Sequence, residues 1–240
     1  MTKSHQARPA STNDDCRNQP KPHHATQDLL VAVLAAGESS RMGSCKQLLD
    51  FDGETLIERA CRSALGIGAD EVIVICGQHY EQISNAVCNM PLTCVYNGLS
   101  ATGQASSIRL AANVARSSNY EWLLLMTSDM PFLSPKHLLA LCQASAKAEA
   151  APNGPALAAV STATMEGRPM TPCLFGKALF EKLAALRGDM GALKLIRDPR
   201  IASSLAFVPF SDPNLAFDVD TPDDYNTAIE MLRTMKKEGD

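Results

Sequence analysis

From Asp28 onward, short apolar runs alternate with amphipathic stretches. Leu29–Ala35 is a continuous apolar run bounded by turn residues, the pattern of a buried strand. Thr55–Leu65 places Leu56, Ile57, Ala60 and Ala64 at helical spacing. A second strand is expected at Glu71–Cys76, a helix near Tyr80–Val87 and a short strand at Leu92–Tyr96. A helix at Gly103–Ala115 and a buried strand at Glu121–Met126 follow, and Ser134-Pro135 opens another helix with an N-cap and a first-turn proline. This βαβαβαβα order predicts an α/β fold with a Rossmann-like, doubly wound, mixed but mostly parallel sheet. Farther on, Ala156–Ser161, Pro172–Phe175 and Ala206–Phe210 suggest strands. Helices are expected near Lys177–Leu186 and Met190–Arg197, and a last one after Thr221-Pro222.

Residues 1–27 are polar and carry no hydrophobic period or apolar signal centre, so a disordered tail is expected ahead of a single domain at 28–240. Gly66-Ile67-Gly68, between a helix and a strand, suits a C-cap and tight turn rather than a dinucleotide fingerprint. No apolar run is long enough for a transmembrane helix. The formal net charge of −4 gives no reason to expect a nucleic-acid surface. Six of the eight cysteines fall in or beside expected elements, and no CxxC pair or zinc-ligand spacing occurs, which points to a reducing cytoplasm. Cys45 differs, because Lys46 beside it could favour a thiolate.

The chemistry concentrates in Leu34–Leu49, LAAGESSRMGSCKQLL, directly after the first strand. Gly37 is expected to turn the chain sharply at the strand's carboxyl end, where open α/β sheets bind ligands. Small residues there leave backbone N–H groups open to an anion, and Arg41 and Lys46 add two cations. A polyphosphate fits this arrangement, although neither GxxxxGK[ST] nor GxGxxG is present.

Two carboxylate groups extend it. Asp129, in Met126–Leu133, should emerge at the end of a buried strand beside the Gly37 loop, well placed to hold Mg²⁺. In Phe217–Tyr225, Thr221 and Asp224 form a capping-box pattern that accounts for Asp224, whereas Asp218 and Asp220 share one side of an extended segment. Asp220 is the first choice to complete a two-carboxylate site with Asp129.

Together these motifs resemble the nucleotidyltransferases that mature the molybdenum cofactor, the cytidylyltransferase branch more than the guanylyltransferase one. The similarity runs from about Leu30 to Leu232 and includes GQASSI at Gly103, SDMP at Ser128, TPCLF at Thr171, RGDMGAL at Arg187 and DVDTPDDY at Asp218. The resemblance implies that Ala35, Ala36 and Gly37 contact base and ribose, and that Arg41 and Lys46 hold the triphosphate. Ser107 would approach the pyrimidine, and Asp129 and Asp220 would bind Mg²⁺. Pro172 and Asp189 would lie near the acceptor, although Asp189 could equally cap the helix that follows it. Met170-Thr171 depart from the Gly-Asn or Gly-His usual before this proline.

The activity implied is transfer of CMP from CTP to molybdopterin cofactor. A molybdenum hydroxylase or its insertion chaperone would then be a transient partner, with neither nucleic acid nor membrane involved. The alternatives are guanylyl transfer to the same cofactor, transfer to another phosphorylated small molecule, and a non-catalytic nucleotide- or cofactor-binding chaperone.

Overall fold

The computed structural model describes residues 26–38, 42–150, 158–164, 166–210 and 212–239. Seven strands form one sheet: β1 (Leu29–Ala35), β2 (Glu71–Cys76), β3 (Thr93–Tyr96), β4 (Trp122–Thr127), β5 (Ala159–Ala163), β6 (Pro169–Gly176) and β7 (Leu205–Pro209). Their order is β3-β2-β1-β4-β6-β5-β7. Only β6 runs against its neighbours, pairing antiparallel with both β4 and β5, so the sheet is mixed and mostly parallel as the pattern predicts.

The helices are α1 (Leu56–Leu65), α2 (Tyr80–Ala86), α3 (Gln104–Ser117), α4 (Pro135–Ala150), α5 (Phe180–Ala184), α6 (Leu193–Ile196) and α7 (Pro222–Gly239). Alternate strand residues feed opposite layers. On one face Leu30, Ala32, Ile73, Ile75, Leu123 and Leu125 pack with Ile108 and Ala112 of α3 and Phe180 of α5. On the other, Val31, Val33, Val72, Val74, Leu124 and Met126 pack with Ile57 of α1, Ile83 of α2 and Leu138 of α4. Because β1 and β4 are covered on both faces, their sequences are uninterrupted apolar runs rather than alternating ones.

A third cluster matters most for the site. Phe51, Leu56, Met130, Phe132, Phe210, Leu215, Val219 and Ala228 pack together away from the main layers. They clamp the segment before α7 beneath the loop that follows β4. The Val219 N–H donates to the Asp129 carbonyl at 2.9 Å, which ties the two segments together at their polar ends.

Several boundaries differ from expectation. The helix expected at Lys177–Leu186 is a 3₁₀ turn, Lys177–Leu179, followed by the five residues of α5. The one expected at Met190–Arg197 shrinks to α6, because bonds from Lys194 to Gly191 and from Leu195 to Ala192 tighten its entry. Asp198 then leaves the helical region ahead of Pro199. β6 begins at Pro169, earlier than its apolar core suggests, beside an irregularity in its pairing at Ser161/Thr162. Gly66 caps α1 and Gly68 takes φ +69° in the turn, as the C-cap reading requires. Residues 1–25 of the expected tail lie outside the described residues, as does the start of the Ala156–Ser161 segment.

Candidate active site

From β1 the chain proceeds outward to β2 and β3, then returns to β4 on the opposite side of β1. The carboxyl ends of β1 and β4 therefore border the crevice where the strand order reverses, the usual ligand position in such sheets. A cavity of about 360 Å³ lies there. Its lining includes Ala36 and Gly37 after β1, Lys46, Ser107 of α3, Asp129 after β4, and Asp189.

Gly37 does not serve as a sharp turn in the left-handed region, since its φ is not positive. Its value is open space: a Cβ there would meet nothing within 4 Å. The loop is held from two sides. Gln47, itself buried, donates to the Gly37 carbonyl at 3.4 Å, and Gln78 donates to the Glu38 carbonyl at 3.3 Å.

Lys46 is the hub. A 3₁₀ turn at Lys46–Leu48 buries its stem, and its side chain is only 11% exposed. The ammonium donates to Asp129 Oδ2 at 2.7 Å, to Asp220 Oδ1 at 2.8 Å and to the Val219 carbonyl at 3.1 Å. Burial works against its charge, but the two carboxylates outweigh burial and its pKa rises above the ordinary lysine value. Asp218 joins this crowd. Partial loss of water, then the negative charges of Asp129 and Asp220, push its carboxyl up, while Lys46 pulls the other way.

The carboxylates fit a hard divalent cation. Asp129 Oδ1 is buried and has no hydrogen-bond partner among the described residues, while Oδ2 faces Lys46. Oxygen donors of this kind suit Mg²⁺ or Mn²⁺. Among the described residues no group of three or more His, Cys, Asp or Glu side chains forms a self-sufficient cage. A cation held by Asp129 and Asp220 would complete its shell with water and phosphate oxygens, the usual habit of Mg²⁺ in phosphoryl chemistry.

Other expected residues take varied places. Ala35 is the last residue of β1, buried and in register with Cys76, so it stands behind the cavity rather than in its lining. Pro172 is buried within β6, where its carbonyl accepts from Thr162, and it does not line the cavity either. Asp189 is not a helix cap, since α6 begins after Ala192 without a side-chain cap. It lines the cavity instead, beside Gly103. Arg41 lies outside the described residues. Burial raises the Cys45 thiol, and the Sγ–H donates to Gln47 Oε1 at 3.2 Å, so a favoured thiolate at Cys45 is not supported.

Gln104 and Ser128 also line the cavity, although neither stands out in the sequence as a site residue. The only trace of either was inside the matched motifs at Gly103 and Ser128.

A model of the MobA-like NTP transferase domain matches residues 31–205. The chain belongs to the MobA-like NTP transferases. The purine catabolism protein PucB of Bacillus subtilis (strain 168) is 27% identical over 82% of this chain and 94% of that protein. A probable molybdenum cofactor guanylyltransferase of Opitutus terrae is 31% identical over 43% of this chain and 48% of that protein. The crystal structure of Rv0371c in complex with manganese, from Mycobacterium tuberculosis H37Rv, superposes with a TM-score of 0.65 at 25% identity. That superposition covers 84% of this chain and 98% of the other. A nucleotidyltransferase-type α/β domain is thus shared by this chain and its MobA-like relatives. No described helix is long and apolar enough to cross a membrane.

Proposed function

We propose that this MobA-like enzyme transfers CMP from CTP to the terminal phosphate of molybdopterin cofactor and releases pyrophosphate. The observation that carries the reading is the junction of Lys46, Asp129 and Asp220 beside a cavity lined by Ala36 and Gly37. An acceptor phosphate oxygen attacks the α-phosphorus in line, forming the new P–O bond as the α–β bridge breaks. No protein nucleophile is required, because positioning and electrostatics carry such transfers.

The residues divide the work. The backbone of Ala36 and Gly37 receives base and ribose, with Ala35 fixing their position from the end of β1. Lys46, whose three donors are held by Asp129, Asp220 and the Val219 carbonyl, would meet the triphosphate as a point charge once a cation takes over those carboxylates, and Arg41 would add a second cation. Mg²⁺ held by Asp129 and Asp220 would offset the negative charge that develops on the leaving pyrophosphate. Asp189, in the cavity lining, would face the acceptor, and Pro172, buried within β6, would act on it only indirectly. The product would pass to a molybdenum hydroxylase or its insertion chaperone in the cytoplasm.

Ala36 favours cytidylyl over guanylyl transfer. The guanylyltransferase branch usually carries LAGG where Leu34-Ala35-Ala36-Gly37 stands here, and a methyl at 36 leaves less room for a purine. One methyl gives only about 1–3 kcal/mol of discrimination, so polar contacts must add to it. The opposing reading, guanylyl transfer, draws on the Opitutus terrae relative. Equal CTP and GTP supplied with molybdopterin, followed by mass analysis, tests the two. The cytosine dinucleotide should exceed the guanine one by at least ~10-fold. A guanine dinucleotide as main product overturns the choice of base, and no pterin product at all overturns the acceptor.

A further inference from the structure

Asn97 follows β3, and its N–H donates to the Cys76 carbonyl at 2.8 Å, which continues the pairing with β2. The residue is 5% exposed. Its side-chain orientation is determined by its neighbours. The Leu99 N–H can only donate, and it lies 3.0 Å from Asn97 Oδ1. The amide nitrogen therefore faces the other way, where it donates to Ser106 Oγ at 2.8 Å and Ser107 Oγ at 2.9 Å.

The two serines then differ. Ser106 passes its own proton to the Gly103 carbonyl at 2.9 Å. Ser107 accepts from Asn97 and has no acceptor for its proton among the described residues. It is also the one of the pair that lines the cavity. A hydroxyl whose lone pair is taken by a buried amide is left with a proton to give, and the cavity is where that proton can go.

We propose that Asn97 is a positioning residue for base recognition. By occupying one of the two Ser107 lone pairs it biases the Ser107 hydroxyl toward donating into the cavity, which favours a nucleotide base presenting a hydrogen-bond acceptor at that edge. Cytosine offers two, its O2 and N3. This deepens the nucleotidyltransferase reading above and rests on that reading only in requiring a nucleotide in the cavity. Ser106 serves a different end, holding the start of α3 to Gly103.

Calorimetric binding of CTP and of inorganic triphosphate to the full chain tests it, in the presence of Mg²⁺. Asn97→Asp keeps an acceptor for the Leu99 N–H but cannot donate to Ser107. Asn97→Asp and Ser107→Ala should each weaken CTP by roughly tenfold, the scale of one lost hydrogen bond, and the double variant should lose no more than either alone. Triphosphate, which has no base, should bind all of them within about a factor of two of the parent. Ser106→Ala should leave CTP binding unchanged. Should Asn97→Asp fail to fold, Asn97→Ala removes the same donor and takes its place in the comparison. Equal weakening of CTP and triphosphate, or Asn97 variants that bind CTP as the parent does, overturns the inference. GTP is titrated alongside. A parent that prefers GTP overturns the cytidylyl reading, and GTP against triphosphate in the same variants then decides the role of Asn97.

Discussion

Lys46 and Asp129 lie 2.7 Å apart in the crevice that the reversal between β1 and β4 creates. Neither side chain is more than 18% exposed, so the pair is shielded from solvent and from salt. Its second carboxylate, Asp220, is 42% exposed and contributes less. Replacing Lys46 by Met leaves Asp129 without its cation and sets it against Asp220 and Asp218. A fully buried pair broken this way costs about 3–5 kcal/mol, and the exposure of Asp220 reduces the expectation to about 2 kcal/mol. The melting temperature in metal-free buffer should fall by about 5 °C. Millimolar Mg²⁺ or Mn²⁺ should recover more of the melting temperature in Lys46→Met than it adds to the parent. An equal response to metal in both proteins would show that the ammonium and the cation do not share these carboxylates.

Asp129→Asn separates chemistry from stability. The amide keeps the shape and can still pair with Lys46, but it withdraws the charge at the buried Oδ1. Turnover should fall by roughly 10²-fold or more, with CTP binding in the absence of metal little changed. Near-normal turnover at saturating Mg²⁺ would remove Asp129 from the site.

Gly103 is required by its surroundings. It takes φ +105°, and a Cβ there would lie 2.5 Å from the Gly188 backbone and closer still to Asp189 Oδ1. The Ala105 N–H donates to the Gly188 carbonyl at 3.1 Å, so this contact docks the Gly188-Asp189 turn onto the start of α3. Gly103→Ala should cost about 1–3 kcal/mol through backbone strain and also weaken nucleotide binding, because Ser107 sits one turn along the same helix. Thermal melting and CTP titration measure the two effects. A variant that melts normally would show that the turn is not held there.

The sheet was legible because β1, β2 and β4 are largely buried, mostly apolar runs whose ends coincide with turn residues. The short helices α5 and α6 were not. Each has only one or two turns, too few for periodicity to define an end, and tertiary anchors such as Phe180 and Ile196 decide where they stop. Lys46 and Asp129 were legible as charges of two segments meeting at one sheet edge, and Asp220 as a carboxylate without a structural explanation. That Lys46 would lie between the carboxylates was not, since it depends on the Phe51–Val219 cluster that folds a distant segment under the β4 loop. Asn97 gave no signal, because an asparagine after a strand is ordinary turn chemistry until its partners are known.

The α1 cap supplies a pH-dependent check on the fold. Thr55 Oγ1 accepts from the Glu58 N–H at 3.3 Å, and Glu58 Oε2 in return accepts from the Thr55 N–H and hydroxyl at 2.7 Å each. Those hydrogen bonds, the side-chain one foremost, lower the Glu58 pKa below its ordinary value of 4.5. A carboxylate with a lowered folded pKa contributes stability that is complete above its unfolded pKa and is lost as pH falls through the folded one. Thr55→Val removes the hydroxyl's donor and acceptor roles together, which should cost about 1 kcal/mol at pH 7. α1 packs Leu56, Ile57, Ala60 and Ala64 into the interior, so the loss should reach the whole domain rather than fray one end. Urea midpoints at pH 7 should therefore separate parent and variant, and the gap should stay constant down to about pH 5. Below pH 4.5 it should narrow, as Glu58 in the parent takes up its proton and gives up part of the box. A gap that widens on acidification would mean that Glu58 is protonated more readily in the folded chain than in the unfolded one, opposite to what its hydrogen bonds to Thr55 require.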